Sequence, residues 1–171
     1  DRIDSNRVSR VAAVLEKHLS LRFSDRDIYS NVAGGIKLDE VGIELPLAVA
    51  LYSARTELAV PKNTAVAGEI SLAGEIRPTP HMHRRVRTAN EMGFTRFIGA
   101  AATGAGTVAG TAAGTGRGAG NGDAGGGKSS AGRGKGKGTN QGSEKRESYT
   151  VLRTVREGIQ AVFGKDHVRS G

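Results

Sequence analysis

Between residues 101 and 143 the chain is mainly glycine, alanine, threonine, serine and lysine, and this tract decides where a fold can exist. Such side chains bury too little apolar surface to offset the entropy of ordering the backbone, so a disordered insertion is predicted over 101–147. A core must come from the flanks, residues 1–100 and 148–164, with 165–171 as a tail. The chain has 26 glycines and 4% aromatic residues in 171, so even those flanks must pack with aliphatic side chains.

Inside the tract, GDAGGGKS at 122–129 satisfies the phosphate-loop spacing of glycine, four residues, glycine, lysine and serine. That loop works only at the mouth of a strand-to-helix turn, where backbone N–H groups converge on phosphates. GTGRGAGN before it and SAGRGKGKG after it provide neither strand nor helix. The match follows from a glycine- and lysine-rich composition, and no nucleotide site is expected there.

The flanks carry clear periodicities. SNRVSRVAAVLEKHL (5–19) sets Val8, Val11, Ala12, Leu15 and Leu19 at helical spacing behind the capping candidates Asp4 and Ser5. DIYSNVAGG reads as a strand, with β-branched and aromatic residues at 28, 29 and 32 before a Gly-Gly stop. GIELPLAVALYSA is a core helix starting near Gly42 or Ile43, which leaves Pro46 in the first turn where no N–H partner is lost. VAGEISLAGEIRP reads as a hairpin about Ala73-Gly74. HMHRRVRTANEMG is a helix with Met82, Val86 and Ala89 on one face and Gly93 as its C′ stop, followed by the strand TRFIGA. YTVLRTV is a strand, and TVREGIQAVFG is a helix with Thr154 and Glu157 as a capping box above buried Ile159, Val162 and Phe163. The order defines an α/β class, an α+β sandwich.

Charge and composition exclude several functions. The net charge is +8, and between 101 and 147 Lys and Arg outnumber Asp and Glu by 7 to 3, so half the excess lies in the flexible tract. Without cysteine there is neither a disulfide framework nor a cysteine-ligated zinc site, and His81 and His83 lack further ligands at metal spacing. No apolar run is long enough to span a bilayer and no leader opens the chain, so a soluble protein without a membrane partner is expected. A start at Asp1 rather than methionine is read as a piece of something longer. Asp39, Glu40 and Glu44 are expected at the head of the core helix, where its dipole favours negative charge, and Glu69 and Glu75 are expected to flank the hairpin facing solvent or a neighbouring subunit.

NVAGGIKLDEVGIELPLAVAL, followed by VAGEISLAGEIRPTPHMHRRVRTANEMGFTRFI, resembles the C-terminal domain of the bacterial DNA-repair ATPases of the RadA/Sms family. The opening SNRVSRVAAVLEKHLSLRFSDRDIYSNVAGG and the closing VLRTVREGIQAVF resemble the same family, so the likeness covers about 3–100 and 148–164. It implies a Lon-protease-like fold, of the ribosomal-protein-S5-domain-2-like kind, lacking its first strand and carrying the Gly-rich insertion. In organisms where this family works it implies a bacterial cytoplasm, or an organelle if the source is eukaryotic.

Lon chemistry needs a serine nucleophile at the head of the core helix and a lysine base at the head of a later one. Aligned on those helices, the positions fall on Gly42 and His83, so the resemblance implies no peptidase activity and no catalytic residue in this chain. A Lon-type serine peptidase is the alternative; it would need Ser53 or Ser71, which stand inside the core helix and the hairpin rather than at a helix head. The resemblance further implies a parent protein with ATP and zinc bound in N-terminal parts, assembled as a homo-hexameric ring that drives branch migration on duplex or branched DNA in recombinational repair. Here the chain would be a noncatalytic, DNA-contacting scaffold, or a pure assembly module. The candidate DNA-binding residues are Arg84, Arg85 and Arg87, which helical geometry turns away from the apolar face, with Lys128, Arg133, Lys135 and Lys137 in the insertion. A solvated helix face is the ordinary alternative for the three arginines.

Overall fold

The computed structural model describes residues 3–101 and 148–168. The readings that fall on 102–147, including the phosphate-loop match and the insertion lysines, lie outside the described residues.

The first helix, α1 (Ser5–Leu19), is capped by Asp4, whose carboxylate accepts from the Asn6 N–H at 3.0 Å, and Val8, Val11, Ala12, Val14, Leu15 and Leu19 are buried. A turn at Val41–Ile43 leads into α2 (Glu44–Thr56), so the core helix starts one or two residues later than its sequence suggests. Strand β1 (Thr64–Ala67) follows, then the antiparallel pair β2 (Glu69–Ile70) and β3 (Ile76–Arg77), in which Ile70 faces Ile76 across the expected Ala73-Gly74 turn. Helix α3 (Met82–Glu91) ends at Gly93, whose φ of +88° supplies the left-handed residue that stops it. Strand β4 (Arg96–Ala100), strand β5 (Ser148–Leu152) and α4 (Val155–Phe163) complete the described chain. The Thr154–Glu157 capping box opens α4 as expected.

The main sheet runs β1-β4-β5, and both pairings are parallel. A parallel sheet must be covered on both faces, and alternation along β4 shows how this is done. Ile98 and Ala100 join the large core made with α1, α2, α4 and the hairpin, whereas Phe97 packs with Met82, Val86 and Ala89 of α3 on the opposite face. Gly99 lies on the α3 side, where a Cβ would stand 2.6 Å from the Ala67 carbonyl and 2.9 Å from Met82 Cε. A larger residue there would push α3 off the sheet.

The strand expected at 28–32 is absent. Residues 27–32 have no ladder partner among the described residues, and Tyr29 is 92% exposed. β propensity expresses itself only against a neighbouring strand, so the segment stays irregular up to a short turn at Ala33–Gly35. At the other end the chain remains structured beyond 164: Val168 is buried in the main core and the Tyr52 hydroxyl donates to the His167 carbonyl at 2.8 Å. Burial raises the pKa of Tyr52, and likewise that of Tyr149, whose hydroxyl donates to the Ala100 carbonyl.

Candidate functional site

Gly42 lies buried in the turn that feeds α2, and its carbonyl accepts from the Gly68 N–H at 3.0 Å, tying the turn to the end of β1. A Cβ at this position would meet Thr79 Cγ2 at 3.3 Å and Glu40 Oε1 at 3.4 Å. Thr79 is itself buried, with its hydroxyl donating to Met82 Sδ at 3.1 Å. The space beside the head of α2 is therefore occupied by the threonine methyl. His83, one residue beyond Met82, is exposed in the first turn of α3, and the residue before that helix, His81, takes a left-handed conformation at φ +60°. Ser53 donates to the Leu58 carbonyl and Ser71 pairs with Glu75 in the hairpin turn, so both hydroxyls are engaged in local structure.

The three arginines of α3 have different surroundings. Arg85 is ion-paired with Glu40 and donates to the Pro80 carbonyl at 3.1 Å, and its side chain is 29% exposed. Arg87 pairs with Glu91 one turn on, at 2.9 Å across open surface. Arg84 is exposed and has no ion pair among the described residues. With His83, Thr88 and Glu91, Arg84 and Arg87 border a shallow cleft of about 510 Å³ on the outer side of α3. Helix α3 thus offers one guanidinium with no ion pair among the described residues and one held loosely by an exposed partner, while the third is partly covered and neutralised. Lys128, Arg133, Lys135 and Lys137 lie outside the described residues.

Sequence reading missed the role of Glu44. It stands in the first turn of α2, as expected, but is only 1% exposed. Its carboxylate accepts from the Arg10 guanidinium and, at 2.9 Å, from the Ile70 N–H, with Arg7 Nε at 3.8 Å. Arg7 also donates to the carbonyls of Leu38, Asp39 and Glu40 at 3.1 to 3.2 Å. One buried acid and two arginines spaced a helical turn apart thus join α1, the approach to α2 and the hairpin. The signal in the sequence was the i, i+3 arginine pair beside the apolar stripe of α1; its partner is 34 residues away from Arg10. Among the described residues no cluster of His, Asp or Glu could hold a metal ion, and no helix is long and apolar enough to cross a membrane.

Fold and site together define a small α/β domain with a parallel sheet, whose third helix packs one face on that sheet and carries the exposed Arg84 and Arg87 on the other. The chain belongs to the family described as subunit ChlI of Mg-chelatase, whose model matches residues 3–103. It is also similar to proteins named DNA repair protein RadA. That of Treponema pallidum (strain Nichols) is 58% identical over 95 residues, 56% of this chain and 21% of that protein. Those of Salmonella typhimurium and Escherichia coli (strain K12) are 40% and 39% identical over 100 residues, 58% of this chain and 22% of theirs. The resemblance read from the motifs is borne out. The chain spans about a fifth of the length of these curated relatives.

Proposed function

We propose that this chain is the noncatalytic, Lon-like domain of a RadA-type DNA-repair ATPase, acting in a bacterial cytoplasm as a scaffold that contacts DNA during recombinational repair and branch migration. The observation that carries the reading is the 58% identity over 95 residues to a protein named DNA repair protein RadA. Support for the absence of peptidase chemistry comes from the head of α2, where the nucleophile position is Gly42 and the Thr79 methyl occupies the adjacent space. ATP and zinc belong, in this reading, to other parts of the parent protein, and its subunits form a hexameric ring.

The DNA contact assigned to the domain is a phosphate contact by Arg84 and Arg87, with Arg85 joining if it exchanges Glu40 for a phosphate. The insertion lysines and arginines Lys128, Arg133, Lys135 and Lys137 add salt-sensitive, sequence-independent affinity. The ion pairs of Arg85 and Arg87 favour a second reading, a pure assembly module without DNA contact. Fluorescence anisotropy of labelled duplex across a salt series separates them. The intact chain is compared with a version lacking 101–147 and with Arg84, Arg85 and Arg87 changed to alanine. Binding by the shortened chain that loses affinity and salt slope with the arginines supports DNA contact; binding that vanishes with the insertion alone leaves the assembly module.

A further inference from the structure

Strand β1 is an edge of the main sheet, and its hydrogen-bonding pattern is legible from its ends. The Asn63 carbonyl accepts from Thr95 and Arg96 at the start of β4, whereas Gly68 turns its N–H and C=O the other way, to Gly42 and Leu45. With a period of two, the N–H and C=O groups of Thr64 and Val66 also point away from β4. No described strand pairs with them. Along this edge runs a groove of about 490 Å³ that touches three consecutive β1 residues, Ala65, Val66 and Ala67, and has α3 as its other wall. Ala89 and Phe97 are among its apolar lining, and Arg84 and Arg85 stand at its rim.

We propose that this groove seats an extended acidic segment of a partner protein as an added strand on β1. An unpaired edge beside a helix wall offers main-chain hydrogen bonds to a peptide backbone, and small side chains such as Ala65, Ala67 and Ala89 leave room for alternate side chains of the guest. The charge at the rim selects the guest. Glu40 of this chain already sits on Arg85, so the rim accepts a carboxylate, and Arg84 beside it has no acid among the described residues. The chain's own 101–147 tract has the wrong sign, with 7 Lys and Arg against 3 Asp and Glu. A single-stranded nucleic acid fits the groove less well, because its bases bind by stacking on open rings and Phe97 is 4% exposed, packed edge-on against Tyr149. The groove shares Arg84 and Arg85 with the DNA contact proposed above, whereas the outward backbone groups of Thr64 and Val66 take no part in that contact.

The test uses the full 171-residue chain and a fluorescein-labelled peptide of alternating valine and glutamate, with a valine–lysine peptide as its opposite. Saturable binding of the acidic peptide is expected, weaker by about tenfold in Arg84→Glu and in Val66→Pro, and unchanged in Arg87→Glu. Val66→Pro removes an outward N–H without touching the ladder to β4, a place where an edge strand tolerates proline. Should that variant fail to fold, amide exchange in the unmodified chain replaces it, with new protection of the Val66 N–H expected on adding the peptide. Equal binding of the lysine peptide, insensitivity to Arg84→Glu, or no protection at Val66 overturns the proposal. Displacement of the peptide by duplex DNA with the same dependence on Arg84 also overturns it and makes the rim a nucleic-acid surface.

Discussion

Thr79 holds its side-chain methyl 3.3 Å from the point where a side chain on Gly42 would begin. That separation is tighter than most real Cβ contacts, so a residue larger than glycine fits only if Thr79 yields. Gly42→Ser is therefore expected to lower stability by about 1 kcal/mol through overpacking and to leave a fluorogenic casein uncleaved. Urea unfolding and a casein assay check both halves. Casein turnover by the unmodified chain that is blocked by a serine-directed inhibitor would sink the noncatalytic reading.

The different surroundings of the α3 arginines predict unequal effects on duplex binding. Arg84→Ala is expected to weaken binding and to reduce the salt slope by about one unit, as loss of one phosphate contact does. Arg85→Ala should do less, since Glu40 already neutralises that side chain. Anisotropy titrations at several salt concentrations give the slopes; equal losses for both variants would mean that the Arg85–Glu40 pair opens on DNA.

Glu44 is the most deeply buried acid of the described residues, at 1% exposure, and three elements converge on it. Glu44→Ala is expected to cost about 2–3 kcal/mol, because the Ile70 N–H and the charge on Arg10 lose their acceptor. The partner Arg10 is 45% exposed and can turn to water, which keeps the loss below that of a fully buried pair. A shift in the urea midpoint at unchanged m-value checks this.

Glu16 accepts from the Phe23 and Ser24 N–H groups, and these bonds hold its carboxyl below the ordinary glutamate value of 4.5. A depressed folded-state pKa contributes stability that is fully present above 4.5 and is lost as pH falls through the lower folded value. Glu16→Gln should therefore flatten the acid limb of a plot of unfolding midpoint against pH, with little effect on its shape above neutrality. An unchanged acid limb would show that the bonds to Phe23 and Ser24 do not persist in solution.

Removing the Thr154 hydroxyl isolates a local contribution. Thr154→Ala breaks the capping box at the head of α4, which packs Val155, Ile159 and Val162 into the main core. A loss of about 1 kcal/mol is expected. Thermal and urea unfolding measure it, and Thr154→Ser should recover most of the difference.

Local regularities were legible in the chain itself. The stripe of α1, the capping box of α4, the glycine stop of α3 and the Ile70–Ile76 hairpin each depend on residues within a few positions of one another, so their geometry is written in spacing. The family likeness was legible for the same reason, since its motifs are contiguous strings. The segment at 28–32 had the composition of a strand but has no neighbour to pair with among the described residues. Tertiary structure alone decided the parallel order β1-β4-β5, the burial of Glu44 by arginines from α1, the pairing of Arg85 with Glu40 and the seating of Thr79 against Gly42. Each of these joins residues far apart in sequence, and which distant groups meet is set by how the helices pack on the two faces of the sheet, a choice that no local period encodes.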